Sequence, residues 1–129
     1  MPKGNMTKDP DGYGPSDIVS RLHRSIENGI YGIDYTIIPR DKNELLIENY
    51  VIDEAYRITV LRDLTIQDYD GWELSNQALY PNDVVHLFHR NVSLIPRGIE
   101  DATPCSVSLY IKMTWTKQGG LLIIISFHD

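Results

Sequence analysis

The 129-residue chain has only one cysteine, Cys105, and this scarcity excludes several protein classes. A single thiol cannot form an intrachain disulfide or build a multi-cysteine zinc site, and it suits a reducing compartment. Long apolar runs are also missing, because the longest, Leu121 to Ile125, is far below the roughly 20 residues of a membrane-spanning helix. No apolar stretch typical of a signal peptide opens the sequence. We therefore expect a cytoplasmic protein with no membrane association.

Length and composition favour one folded domain. Single hydrophobic cores usually grow to about 100–150 residues, and hydrophobic side chains make up 42% of this chain. Residues 1–15 differ from the rest, because they hold three prolines and three glycines and show no apolar periodicity. Such a segment buries too little surface to offset the entropy of ordering. The sequence thus predicts a disordered N-terminal tail over residues 1–15 and a single domain over residues 16–129.

Positive charge is scarce, since the formal net charge is −6. That balance argues against a general nucleic-acid coat, which needs a basic footprint. The acidity is confined to residues 1–75, which hold eight basic and 14 acidic side chains. Residues 76–129 are neutral and carry three of the four histidines: His86, His89 and His128. The titratable chemistry therefore belongs to the second half of the chain.

Helical patterns occupy the first half. Apolar residues at four-residue spacing follow Ser16, a favourable N-cap, and stop before Gly29. Acidic and hydroxyl residues with the spacing of helix caps recur further along. The predicted elements are a helix over 17–28, a short strand over 33–38, a helix over 42–49 capped by Asp41, a helix capped by Asp53, and a short turn that begins at Thr65 and is broken at Gly71.

Strand patterns fill the second half. Ser106 to Thr116 alternates between apolar and polar residues, whereas Leu121 to Phe127 is apolar on both faces, as expected of a buried strand. Val84 to Arg90 predicts a further strand, and the prolines and glycine between Asn91 and Pro104 predict a loop. Helices followed by strands predict an α+β fold, with N-terminal helices packed on a C-terminal antiparallel β-sheet.

The turn between the last two strands decides which side chains share a face. A three-residue loop, Gln118-Gly119-Gly120, places Tyr110 opposite His128 and Lys112 opposite Ser126. Opposed Cβ atoms lie only about 4.5–5.5 Å apart. A two- or four-residue loop would shift the pairing by one residue and separate these side chains. We expect the three-residue loop because it pairs polar residues with polar ones.

The residue types on these strands suit metal-independent cleavage of RNA. That reaction needs a base for the ribose 2′-OH, cations for the phosphate charge and an acid for the 5′-oxygen. Histidine titrates near neutral pH, lysine and arginine supply fixed charge, and tyrosine donates a hydrogen bond or stacks on a base. The candidate side chains are Tyr110, Lys112 and His128 on the predicted hairpin, and His86, His89 and Arg90 on the preceding strand.

Several segments, taken in order, resemble one family. Tyr110-Ile111-Lys112-Met113, a turn, and Ile125-Ser126-Phe127-His128-Asp129 are similar to the last two strands of the MqsR-type toxins of bacterial toxin–antitoxin systems. Upstream, Arg40-Asp41-Lys42-Asn43 resembles the basic Lys-Asn segment that opens their second helix, and Leu64 to Tyr69 resembles their Leu-Thr-x-x-Asp-Tyr/Phe turn. The resemblance spans roughly residues 16–129.

The resemblance implies a compact RelE-superfamily fold and a ribosome-independent mRNA endoribonuclease that a cognate antitoxin protein keeps silent. It implies an active-site role for Tyr110, while His128 and Arg90 occupy positions that are basic in the family. On this basis we expect Tyr110 and His128 to transfer or orient protons, and Lys112 and Arg90 to hold the phosphate charge. The expected substrate is mRNA.

Further RNA contacts are expected from Arg40, Lys42 and His89. No cofactor is expected. A shared metal site is improbable, because His86 and His89 are three residues apart on a strand and so point to opposite faces.

Each candidate also has a structural interpretation. Tyr110 is a good β-former, Lys112 can lie on a solvated face, and His128 is next to the last residue, where fraying is common. Arg40 and Lys42 can simply be solvated beside a helix start. The alternative function is that of a non-catalytic acidic binding protein, such as an inhibitor or immunity protein on the same scaffold, which the net charge of −6 favours.

Overall fold

The computed structural model describes residues 4–76, 83–117 and 120–129, which form an α+β fold. Three helices lie in the first half of the chain, and most of a five-stranded sheet lies in the second. The helices are α1 (Pro15–Asn28), α2 (Asp41–Asn49) and α3 (Glu54–Asp63). The strands are β1 (Tyr35–Ile37), β2 (Tyr69–Leu74), β3 (Val84–Leu94), β4 (Cys105–Trp115) and β5 (Leu122–His128).

The sheet is mixed, which corrects the prediction of an antiparallel sheet. Its strand order is β1-β5-β4-β3-β2, and β1 runs parallel to β5 while all other neighbours are antiparallel. Parallel pairing needs a long crossover rather than a hairpin. Two helices and three strands separate β1 from β5 in the chain, so β1 has the freedom to join the edge of the sheet in this direction.

Helix α1 begins earlier than predicted. Gly14, not Ser16, is its N-cap, and Pro15 takes the first helical position. Proline is favoured there because its fixed φ already fits the helix and its missing N–H is not needed. The Asp17 carboxylate accepts the Gly14 N–H at 2.9 Å and so completes the cap. The predicted apolar stripe is confirmed, since Ile18, Leu22 and Ile26 are all buried.

The remaining helix starts follow local capping chemistry. The prediction at Asp53 is confirmed, because its carboxylate accepts the Tyr56 N–H at 2.7 Å. Thr65 opens a short 3₁₀ turn as predicted, and its N–H donates to Asp68 at 2.8 Å. Arg40, rather than Asp41, is the N-cap of α2.

The N-terminal segment is packed against the sheet, which differs from the predicted disordered tail. Asn5 forms an antiparallel bridge with Trp72 of the edge strand β2, and the Asp9 side chain is buried. An edge strand presents unpaired backbone groups that attract another extended segment. The spacing of apolar residues could not reveal the pairing of Asn5 with Trp72, because these residues lie far apart in the sequence. Residues 1–3 of the predicted tail lie outside the described residues.

Gly71 was predicted to break the short turn that begins at Thr65. That turn already ends at Asp68, and Gly71 lies within β2. The pairing with β3 shifts between Tyr69 and Gly71, which marks a β-bulge, and Gly71 has φ +100°. A Cβ atom there would come within 2.5 Å of the Asn5 carbonyl oxygen. Glycine is therefore required by both the backbone angle and the close approach of the N-terminal segment.

The helices cover one face of the sheet. Alternate residues of β4 point into the core on that face, and they are Val107, Leu109, Ile111, Met113 and Trp115. The helical core residues Ile18, Leu22, Leu46 and Leu61 belong to the same hydrophobic cluster. Ser108 and Tyr110 point to the opposite side and are exposed. We call that opposite side the open face. No helix in the described part of the chain is long and apolar enough to cross a membrane.

Candidate active site on the open sheet face

The last hairpin brings together the side chains that the sequence predicts, but its pairing register contains a bulge that was not predicted. Tyr110 lies opposite His128, and Lys112 lies opposite Ser126, as predicted. Beyond Lys112 the register shifts by one residue, because Ile125 of β5 is unpaired in a bulge. The Thr116 N–H then donates to the Leu121 carbonyl at 2.9 Å, which does not fit the predicted three-residue loop. Residues 118–119 of that loop lie outside the described residues.

A buried asparagine on α2 stabilises this bulge. Asn43 is 1% exposed, and its amide group donates to the carbonyl of Ile125 at 3.1 Å and to that of Ile38 at 2.8 Å. Its side-chain oxygen accepts the Phe127 N–H at 2.8 Å. These bonds satisfy backbone groups beside the bulge. Asn43 was not among the predicted site residues, although it thereby supports the register that places Tyr110 opposite His128.

Three adjacent strands place His89, Tyr110 and His128 in one row on the open face. Tyr110 pairs with His89 of β3 on one side and with His128 of β5 on the other. The ring of Tyr110 is stacked beside that of His128, with centroids 6.3 Å apart and planes inclined by 22°. Strands two apart are separated by about 10 Å, so the two histidines stand on either side of the tyrosine. We call these three side chains the histidine row.

A cationic pair lies next to the histidine row. Lys112 is two residues from Tyr110 on β4 and points to the same face. Arg40, the N-cap of α2, donates through Nη1 to the Ser126 hydroxyl at 3.1 Å and to the Ile125 carbonyl at 3.3 Å. The start of a helix and the middle of the sheet thus bring two positive charges to the Lys112–Ser126 pair, which lies beside the row.

Two acidic residues that sequence reasoning missed complete the site. Asp70 Oδ2 lies 3.6 Å from His89 Nδ1, and Glu73 Oε1 lies 3.4 Å from Lys112 Nζ. Asp70 is buried, with a side chain only 7% exposed, whereas Glu73 is open to solvent. Both belong to β2, the strand that the sequence pattern did not reveal. The signal that could have revealed this strand is the alternation from Tyr69 to Glu73 around the glycine.

Several of these side chains line a groove of about 210 Å³. Its lining includes Asp70, Glu73, Leu87, Tyr110, Lys112 and His128. Tyr110, Lys112 and His128 share the wall of this groove, so an anion in it would lie beside a cation and a histidine.

Arg90 does not belong to this site, which corrects its assignment as a phosphate-binding residue. It pairs with Leu109 on the helix-covered face, because neighbouring residues of a strand point to opposite sides. Its guanidinium lies 2.9 Å from Asp68 Oδ2 and donates to the Asp63 carbonyl at 3.2 Å. Lys42, which was predicted to contact RNA, is exposed in the first turn of α2 and does not line the groove.

His86 forms a separate buried cluster on the helix-covered face. Its Nδ1 is 2.9 Å from the Tyr69 hydroxyl, and its Nε2 is 3.6 Å from Asp9 Oδ2. Burial lowers the pKa of His86 to about 4, although the Asp9 carboxylate acts in the opposite direction and Arg21 adds to the lowering. Burial, with a smaller contribution from Asp9, raises the pKa of Tyr69. Both rings are therefore neutral at pH 7, and the cluster is structural.

The described residues contain no cluster of side chains that could bind a metal ion. No group of three or more His, Cys, Asp and Glu side chains is placed to hold an ion in residues 4–76, 83–117 and 120–129. Cys105 is exposed at the start of β4. His86 and His89 face opposite sides of the sheet, as their spacing predicts.

Sequence and structure comparisons give no relative from which residue roles could be transferred. The chain matches no protein-family model, and searches of curated proteins and of solved structures return no match. The assignment of function therefore depends on the site's own chemistry.

Proposed function

We propose that the protein is an endoribonuclease that cleaves RNA by attack of a ribose 2′-OH on the neighbouring phosphate. The observation that carries the proposal is the histidine row, in which Tyr110 and His128 line a groove together with Lys112, while Arg40 is bonded to Ser126 in the wall of that groove. Histidines at both ends of a phosphate site supply the base and the acid that this reaction needs.

The reaction balances without a co-reactant. One histidine removes the proton of the 2′-OH, and a bond forms between the 2′-oxygen and phosphorus. The bond from phosphorus to the 5′-oxygen breaks, and the other histidine gives that oxygen its proton. The products are a 2′,3′-cyclic phosphate and a free 5′-OH end. Tyr110, between the two histidines, donates a hydrogen bond to a phosphate oxygen or stacks on a base.

Lys112 and Arg40 have the electrostatic role. Charge builds up on the phosphate oxygens during in-line attack, and preorganised cations stabilise it. Arg40 is held by the hydroxyl of Ser126 and a backbone carbonyl, so its guanidinium retains further N–H groups for a phosphate. Lys112 is paired with Glu73, and an incoming phosphate competes with that carboxylate.

The biological role that we propose is that of the toxin in a type II toxin–antitoxin system, acting on mRNA in the cytoplasm. The support is the resemblance of the C-terminal strands to MqsR-type toxins, in which the active-site tyrosine matches Tyr110. The acidic residues 1–75 then offer a surface to a basic antitoxin segment. Induced expression should arrest growth, and coexpression of the cognate antitoxin should restore it.

Purified protein incubated with RNA and EDTA tests the reaction. The expected result is cleavage that leaves 2′,3′-cyclic phosphate ends, with strong loss in His128→Ala and in Tyr110→Phe. Arg90→Gln is the matched control, because it removes a cation from the opposite face and should cleave like the wild type. Intact RNA with the wild-type protein would refute the nuclease.

One observation favours a second candidate, a non-catalytic inhibitor or immunity protein. Two site cations, His89 when protonated and Lys112, each have a carboxylate partner, and the whole chain carries a net charge of −6. Such a surface can imitate nucleic acid toward a basic nuclease. Inactivity on RNA together with inhibition of a separate nuclease would favour this alternative.

A further inference from the structure

Asp70 is a buried carboxylate whose charge needs a partner. Its side chain is only 7% exposed, and His89 is the one basic group within ion-pair distance of it among the residues that the structure describes. An unpaired buried charge is costly, so this pairing is favoured whenever His89 is protonated. The contact engages Nδ1 of the imidazole at 3.6 Å, which leaves Nε2 for another partner.

The backbone around Asp70 is held from both sides. The Gly4 N–H donates to the Asp70 carbonyl at 2.8 Å, and Asn5 and Trp72 exchange two backbone bonds of 2.8 and 2.9 Å. Asp70 is the extra residue of the β2 bulge, because Tyr69 and Gly71 pair with consecutive residues of β3. Bulges commonly redirect side chains beside functional sites. The N-terminal segment thus keeps the carboxylate against His89.

His86 provides a comparison within the same strand. It also has a carboxylate at 3.6 Å, that of Asp9, but its other ring nitrogen is occupied by Tyr69 and its ring is 2% exposed. The side chain of His89 is 40% exposed. Of the two, His89 therefore combines a carboxylate beside Nδ1 with a side chain that is open to solvent.

We infer that Asp70 is the positioning residue of His89, and that it makes His89 the base of the reaction. The carboxylate keeps the ring proton on Nδ1, so Nε2 carries the lone pair that accepts the 2′-OH proton. When the imidazolium forms, the same carboxylate stabilises its charge. His128 is then the acid that protonates the 5′-oxygen. This assignment of roles rests on the proposed endoribonuclease function, but the positioning of the ring can be tested independently of it.

The first measurement is the tautomer of His89, which nitrogen NMR shifts report at a pH where the ring is neutral. The wild type should carry the proton on Nδ1, whereas Asp70→Asn should shift the population toward Nε2. Asp63→Asn is the control, because it makes the same charge change on the exposed end of α3 and should leave the spectrum of His89 unchanged. A proton on Nε2 in the wild type would overturn the inference, even where Asp70→Asn does not fold.

The second measurement is steady-state cleavage of a short RNA. Asp70→Asn should lower kcat by roughly 100-fold, the lower end of what a positioned base contributes, and should leave KM nearly unchanged. Asp63→Asn should match the wild type. A folded Asp70→Asn with wild-type kcat refutes the positioning role. Wild-type protein that shows the Nδ1 proton but leaves RNA intact refutes the proposed function instead, so the two failures are distinct.

Discussion

On β3, the side chain of His86 faces the helix-covered side of the sheet, and that of His89 faces the open side. Each has an aspartate oxygen 3.6 Å from one ring nitrogen. The surroundings then differ: Tyr69 occupies the second nitrogen of His86, and burial lowers the pKa of His86 to about 4. The side chain of His89 instead remains 40% exposed. Identical side chains with similar carboxylate partners can therefore serve packing on one face and chemistry on the other.

The contrast extends to the cations. Arg90 on the covered face is held by Asp68 and by a backbone carbonyl of α3, so its charge contributes to structure. Lys112 on the open face is paired with a solvent-exposed glutamate that a ligand can displace. The two faces thus separate charges that are fixed in the fold from charges that remain exchangeable.

The largest effect is expected when His89 and His86 are replaced one at a time, because one change should affect RNA cleavage and the other the stability of the fold. His89→Gln should reduce RNA cleavage by on the order of 10²–10⁴-fold, while the free energy of unfolding falls by less than it does in His86→Gln, because the His89 side chain is 40% exposed. His86→Gln should keep cleavage and lose stability. Cleavage assays and urea unfolding of both variants measure this. Equal loss of cleavage in the two variants would abolish the distinction between the faces.

Removal of the amide that stabilises the bulge should give the largest loss of stability. Asn43→Ala removes three hydrogen bonds and leaves the buried Phe127 N–H without its acceptor, whereas the Ile38 and Ile125 carbonyls still accept bonds from Arg40. We expect a loss of roughly 3–4 kcal/mol, because a buried unsatisfied group costs about 1–3 kcal/mol and each further lost hydrogen bond about 0.5–1.5 kcal/mol. Urea unfolding measures it, and Asn49→Ala at the exposed end of α2 should cost far less. Similar losses in both variants would contradict the role of Asn43.

The buried cluster should make the protein sensitive to acid. The pKa of His86 is about 4 in the folded chain and about 6.5 when unfolded, so the unfolded state binds more protons between these values. The free energy of unfolding should therefore fall as pH drops from 6.5 to 4, by roughly 3 kcal/mol in total. This stability is fully present above pH 6.5.

The comparison uses His86→Gln, because a difference between two variants removes the contributions that are the same in both. The difference between the wild type and this variant isolates the histidine, which is faced by Asp9, Tyr69 and Arg21. Urea unfolding at a series of pH values gives both curves. Parallel curves would show that His86 is not the source of the acid sensitivity.

The smallest expected effect concerns the exchangeable pair on the open face. Glu73→Gln frees Lys112 from its carboxylate and should strengthen the binding of a short, non-cleavable RNA by about 2- to 5-fold, since exposed ion pairs contribute at most about 1 kcal/mol. Glu48→Gln on α2 makes the same change in net charge away from the site. Equal gains in both variants would mean that only net charge matters.

Local patterns were reliable for elements stabilised by neighbours in sequence. The apolar stripe of α1, the cap at Asp53 and the alternation of β4 were all predicted, and the structure confirms them. The opposition of Tyr110 and His128 was also predicted. The loop length expected for that opposition was wrong, and the bulge at Ile125 compensates for the difference.

Features that depend on distant contacts were not predictable in this way. The edge strand β2 was missed because Gly71 interrupts its pattern, and its bulge is explained only by the N-terminal segment beside it. Asp70 and Glu73 were missed with the strand. Arg90 was expected to hold phosphate charge because of a family pattern, whereas alternation along the strand places it on the helix-covered face.

The sequence by itself determined the α+β class, the places of the three helices and the long hairpin, because periodicity and capping are properties of neighbouring residues. Only the tertiary structure decided which titratable groups meet. Burial keeps His86 neutral despite the opposing effect of the Asp9 carboxylate, and the N-terminal segment brings Asp70 against His89. Asn43 supports the register of the hairpin from another helix. The strength and partner of a charge depend on its solvation and on groups distant in sequence, and these are settled only when the chain has folded.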